Sequence, residues 1–205
     1  RVTRTLGLDP IDNAEPLTVP GSRWMVARTT DTTVPEGNLF VAPVAQLGRP
    51  NVHWQRIATA ADQITRVGLR GNELFLLTHA GAPRRKLLVL DLRRPELARA
   101  TEVVAEPVSG VLENFQLKPS GLITQVRQGT ALTLHEHATG DRVGRPLALP
   151  YAGAARIVHV PAPIDEAVLY SMTGWTRWQQ FYLARGGAYT AIAFEHPLRI
   201  NKAAT

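Results

Sequence analysis

The stretch NELFLLTHAGAPRRKLLVLDLRRP (72–95) decides the fold. Two apolar runs, Leu74-Phe75-Leu76-Leu77 and Leu87-Leu88-Val89-Leu90, flank a turn that holds Gly81 and Pro83. Each run has strand length and is bounded by turn residues, so the pair reads as two neighbouring strands. A sheet with one wet face alternates apolar and polar side chains. These two runs do not alternate, so the sheet they build needs cover on both faces.

The same pattern recurs along the chain. SRWMVART, NELFLLTH, SGLITQVRQ and DEAVLYSMT start at 22, 72, 120 and 165, at spacings of 50, 48 and 45. A second strand follows each: NLFVAPV at 38, KLLVLDL at 86, ALTLHEH at 131 and QQFYLAR at 179. A third set is HWQRIAT at 53, TEVVAE at 101, RVGRPLAL at 142 and AYTAIAFE at 188. Each unit is preceded by its own strand: PLTV at 16, ITRVGLR at 64, VLENFQLK at 111 and RIVHVPA at 156. Four strands per unit at a period of 40 to 50 residues is the pattern of a β-propeller, whose inner blades are sandwiched between neighbours. A β-sandwich explains neither the period nor the two-sided burial. The expected fold is therefore all-β, a partial β-propeller of about four blades, each of four antiparallel strands. The units run 9–60, 61–107, 108–152 and 153–197. RVTRTLGL (1–8) reads as the outer strand of a preceding blade, and 198–205 as a tail or linker. Only RRPELARA (93–100) looks locally helical.

Composition limits the functional classes. The 205 residues are 44% hydrophobic and 20% charged, ordinary values for a globular protein. No apolar run approaches membrane-spanning length. With no cysteine, disulfides, thiol catalysis and Cys-based zinc sites are excluded. The net charge of +6 comes mostly from arginines scattered along the chain. The densest group, Arg84-Arg85-Lys86 with Arg93-Arg94 after it, is no extended basic run, so neither nucleic acid nor membrane is expected as a partner.

Motifs of catalysis are absent: no G-x-S-x-G elbow, P-loop, G-x-G-x-x-G fingerprint or H-E-x-x-H helix occurs. His135 and His137 lie two apart on a strand and share a face. They lack a placeable third ligand and read as polar residues of an outer strand, so no metal or cofactor is expected. His79 reads as loop geometry. Asp9, Asp12, Asp91, Asp141 and Asp165 sit at turns or strand ends, where carboxylates cap backbone amides. ATGD (138–141) reads as a hairpin turn, with Gly140 able to take positive φ.

These residues resemble the propeller domain of prolyl oligopeptidase-type serine peptidases. RTLGLDP (4–10) is similar to a strand ending in Leu-Gly before an acidic turn. In 76–95, Thr78, Ala82, Pro83, Asp91 and Pro95 match the family's strand–turn–strand pattern, while His79 replaces its usual Asn. TEVVAE ends in the family's Glu at Glu106, without the Trp that often precedes it. LTLHEHATGDRVGRPLALP (132–150) resembles a strand, a Gly turn and a strand ending in Leu-Pro. AVLYSMTGWTRWQQFYLAR (167–185) resembles the last-blade hairpin, with Arg177 where a Pro is usual. The resemblance implies the last four blades of a seven-bladed ring. It further implies an α/β-hydrolase domain carrying the catalytic triad beyond Thr205 in the same parent chain. No catalytic residue is carried over. The implied role is non-catalytic: the propeller gates access of short proline-containing peptides, in a bacterial protein of the cytoplasm or periplasm. The alternative is a free-standing interaction propeller of the WD-repeat kind, but no Trp here is followed by Asp.

The segment YSMTGWTRWQQFYLAR (170–185) holds five of the thirteen aromatics. A stacking platform for nucleic acid or sugar is one reading. Two strands absorb most of it, with Leu169, Phe181 and Leu183 as packing residues. Trp175, Arg177 and Trp178 are left in the connecting turn, as a candidate domain-contact or access site. An incomplete ring leaves two blade faces bare, so the isolated chain is expected to self-associate.

Overall fold

Among the described residues of the computed structural model (13–30, 36–159 and 165–192), sixteen strands form and the only helical pieces are three single 3-10 turns. The segments expected at 1–8 and 198–205, with Asp9 and Asp12, lie outside the described residues. β1 (Asn13–Leu17), β2 (Trp24–Thr30), β3 (Gly37–Pro43) and β4 (Gln55–Ala58) form an antiparallel sheet in chain order. β5 (Ile64–Arg70), β6 (Glu73–Thr78), β7 (Lys86–Asp91) and β8 (Thr101–Val104) form a second sheet of the same kind. The third sheet contains two such meanders. One is β9 (Val111–Lys118), β10 (Gly121–Gln128), β11 (Ala131–Ala138) and β12 (Arg145–Pro146). The other is β13 (Ala154–Ile157), β14 (Val168–Thr173), β15 (Gln180–Arg185) and β16 (Ala188–Ile192). A single parallel pairing, Leu132 with Ala154, joins them.

Successive side chains of a strand point to opposite faces, and the continuous apolar runs use both. Leu74 and Leu76 of β6 pack with Val26, Leu39 and Val41 of the first sheet. Phe75 and Leu77, one residue out of phase, pack with Phe115, Leu117 and Leu122 of the third. β10 divides in the same way. Leu122 and Val126 face the second sheet, and Ile123 joins Tyr170, Met172 and Tyr182 of the fourth meander. Each fully buried Leu contributes about 1.5–3 kcal/mol.

Polar ties repeat at the same period. Ser22 Oγ donates to Gly71 O at 2.8 Å, and Trp24 Nε1 to Asn72 Oδ1 at 3.1 Å. Arg70 Nη1 donates to Lys118 O at 2.8 Å and to Gly121 O at 3.1 Å. Ser120 N and Oγ donate to the Glu166 carboxylate at 2.8 and 2.6 Å. The first hairpin of each of the first three meanders is thus tied to the first hairpin of the next, which fixes how the meanders register.

Two expectations need correction. RRPELARA forms only the 3-10 turn Leu97–Arg99. Pro95 disfavours helical backbone in the residue before it, and Glu96 stays extended at φ −94° and ψ 119°. RVGRPLAL yields only the two-residue strand Arg145–Pro146. Gly144 there takes φ +74°, and a Cβ on it would stand 2.6 Å from the His137 ring. Pro146 has no N–H to extend the ladder.

In the fourth meander the packed aromatics are Tyr170 and Tyr182, 0% and 5% exposed, stacked with ring centroids 5.5 Å apart. Leu169, Phe181 and Leu183 lie on the opposite face and are only half-buried. The Tyr170 hydroxyl is buried with no hydrogen-bond partner among the described residues. Burial, followed by the neighbouring Tyr182, pushes its pKa up to about 12.

Leu76→Ala is expected to cost about 2–5 kcal/mol, as a full cavity in a two-sided core. Leu169→Ala, on the half-buried face, is expected to cost about 1 kcal/mol. Urea unfolding of both variants measures the difference, and equal losses would contradict the stacking. The folded chain holds the Tyr170 proton more tightly than the unfolded chain, whose tyrosines ionise near pH 10. The resulting stability is complete below about pH 10 and is lost as pH rises towards about 12. Tyr170→Phe is expected to flatten that alkaline loss while leaving stability at neutral pH unchanged or up to about 1 kcal/mol higher.

Candidate functional site

The β14–β15 connection brings Trp175, Arg177 and Trp178 together in one turn. The Gly174 N–H donates to Arg177 O at 3.2 Å and closes it. The Arg177 guanidinium lies 4.8 Å from the centroid of the Tyr151 ring, a cation–π contact that holds the turn against the sheet. Tyr151 meets Tyr182 edge-on at 6.4 Å, and Tyr182 meets Tyr189 edge-on at 6.0 Å. A chain of aromatic contacts therefore runs from the core at Tyr170 to the turn. Burial raises the pKa of Tyr151, and the Arg177 charge opposes that rise.

Beyond this anchor the two indoles stand in water, 93% exposed at Trp175 and 92% at Trp178. Residues 173–180 hold no carboxylate and no imidazole, so the turn offers apolar and stacking surface with one cation, and no acid–base chemistry. Sequence reading placed the three residues in this connecting turn, where they lie. It missed Tyr151, whose contact with Arg177 spans more than twenty positions and leaves no local signal.

The other singled-out residues are structural. Asp91 Oδ1 accepts from Arg93 N at 3.0 Å, Asp141 Oδ1 from Val143 N and Gly144 N at 3.1 and 3.0 Å, and Asp165 Oδ1 from Ala167 N at 2.6 Å. The Arg93 side chain and N–H hold the exposed Asp91 carboxyl down to about 2. His79 Nε2 lies 2.9 Å from Glu36 Oε1, so the residue ties its loop to the first sheet rather than only shaping it. His135 and His137 do share a face, but His137 is 2% exposed instead of sitting on an open outer strand. Lys118, which the sequence reading placed only at the end of a strand, is buried and paired with Glu136 at 2.5 Å. Arg145 holds the other Glu136 oxygen at 2.8 Å, and the two cations lower the Glu136 pKa.

No protein-family model matches the sequence, and no curated protein matches it. Solved structures do. A prolyl endopeptidase, one of two studied for the role of inter-domain dynamics in catalysis and specificity, aligns with TM-score 0.75 at 18% identity, over 93% of this chain and 28% of that one. Apo prolyl oligopeptidase B from Galerina marginata aligns with TM-score 0.75 at 14% identity, over 89% of this chain and 26% of that one. Oligopeptidase B from Leishmania major aligns with TM-score 0.71 at 12% identity, over 89% and 27%. The chain thus spans little more than a quarter of the length of the peptidases it matches. At these identities the likeness carries the fold: this chain shares the all-β fold of one segment of the prolyl oligopeptidases and of oligopeptidase B.

Proposed function

We propose that the chain is a non-catalytic propeller segment of a prolyl oligopeptidase-like serine endopeptidase. In this reading 9–60, 61–107, 108–152 and 153–197 are four consecutive blades of a larger ring. The ring gates short proline-containing peptides on their way to an α/β-hydrolase domain of the same parent chain. The observation that carries the reading is the fold match, which takes in 89–93% of this chain within 26–28% of each peptidase. The meander pattern supports it, because four-stranded meanders packed in chain order by alternating faces are what consecutive blades require. Gating by a closed ring selects substrates by size before chemistry begins.

The turn of Trp175, Arg177 and Trp178 serves in this reading as the contact or access surface of the last blade. The half-buried Leu169, Phe181 and Leu183 form the face that a further blade covers. The isolated chain then self-associates through such faces, since soluble monomers rarely leave large apolar patches bare.

Reading the gene beyond Thr205 is expected to reveal a G-x-S-x-G elbow within one hydrolase domain. The longer product should cleave proline-containing oligopeptides, and the 205-residue chain should not. A reading frame that stops near Thr205, or a longer product without hydrolytic activity, overturns the reading. In the longer protein, Trp175→Ala with Trp178→Ala is expected to leave stability within about 0.5 kcal/mol while changing kcat/KM. Light scattering on the isolated chain should show concentration-dependent association, and a monomer at every concentration contradicts it.

A further inference from the structure

A cavity of about 630 Å³ opens between the second and third sheets, outside the turn described above. Ligand sites span roughly 300–1,000 Å³ and combine apolar walls with a few placed polar groups. Val104 and the loop after β8 form one wall, and the face of β10 and β11 that looks towards the second sheet forms the other. Further in, the sheets close on apolar contacts, Phe75, Leu77 and Leu87 of the second against Phe115, Leu117 and Leu122 of the third. Further out, β11 presents Thr133, His135 and His137 instead, and the sheets do not close.

The polar groups differ in what they have left to offer. His137 Nδ1 donates to Asp141 O at 3.1 Å, because a carbonyl only accepts. Its Nε2 therefore accepts from the Thr124 hydroxyl at 2.9 Å, and this buried pair is complete. His135 is different. Its Nε2 lies 3.3 Å from Thr133 Oγ1, whose hydroxyl donates to Val126 O at 3.4 Å. The second His135 ring nitrogen has no partner among the described residues. Burial lowers the pKa of both imidazoles, which favours their neutral forms. The charges at the mouth are paired: Glu106 with Arg84 at 3.4 Å, and Arg142 with Glu102. Val108 and Val143 stand at the same mouth, 93% and 79% exposed.

We propose that this cavity is a binding site for an uncharged amphipathic small molecule, its apolar body against Val104, Val126 and Val143 and its one polar group hydrogen-bonded to His135. Paired rim charges provide no free counter-ion for a charged ligand, and a charged group would be desolvated there without compensation. An apolar body covers the two exposed valines. A donor on the ligand fills the vacant acceptor of a neutral imidazole.

The test is a fluorescence titration of the chain with N-phenylnaphthylamine, an uncharged amphiphile with one N–H. Saturable one-to-one binding is expected. Thr133→Trp, at a partly buried position on the cavity wall, should weaken it at least about tenfold, the equivalent of 1.4 kcal/mol. His135→Leu should weaken it about threefold to tenfold, as loss of one neutral hydrogen bond. Leu183→Glu, on the distant half-buried face, should leave it unchanged. In the unsubstituted chain, the His135 imidazole resonances should move with the same half-saturation as the fluorescence. The proposal is overturned by absence of saturable binding, by undiminished binding to a folded Thr133→Trp chain, or by His135 resonances that stay still. Loss of binding in Leu183→Glu would also overturn it, by placing the probe on the end face.

Discussion

The structure depends on one constraint: a sheet whose two faces are both apolar must lie between two others. Leu76 and Leu77 are adjacent in sequence, both 0% exposed, and bury themselves against different sheets. Neither half of β6 is stable unless the meander before it and the meander after it are both present. Stability is then shared between each unit and its neighbours, as in other repeat architectures. The first-hairpin ties, Ser22 to Gly71, Trp24 to Asn72, Arg70 to Lys118 and Ser120 to Glu166, set where one meander sits on the next.

The first three strands of a meander were the most legible, because packing on both faces writes itself into sequence. ITRVGLR and VLENFQLK match β5 and β9 to the residue, and the apolar runs at 74–77 and 87–90 fall within β6 and β7. The last strand of the third meander was less legible. At 142–149 the apolar pattern continues, yet the strand ends at Pro146, with one further bond from Leu147 N to Leu134 O at 2.8 Å. The 93–100 segment is helical in composition, but Glu96 stays extended and only the turn Leu97–Arg99 forms.

The candidate site was legible only in part, for a related reason. Exposed Trp175 and Trp178 follow from a turn that strands must make. Which face of the fourth meander is packed does not follow, because alternation marks two faces without saying which has a neighbour. Tyr170 and Tyr182 point to the third meander and are buried, while Leu169, Phe181 and Leu183 point away. The Arg177–Tyr151 contact, the Lys118–Glu136 pair and the cavity beside His135 all join segments distant in sequence, so periodicity carries no trace of them.

Stacking of the meanders in chain order is tested most directly by strand-resolved amide hydrogen exchange. Strands with both faces covered, β6 and β10, are predicted to open only with global unfolding and to show the highest protection. β14 and β15, with one half-buried face, come next, and the exposed β16 exchanges fastest. Protection in β6 and β10 no greater than in β16 would contradict the stacked arrangement.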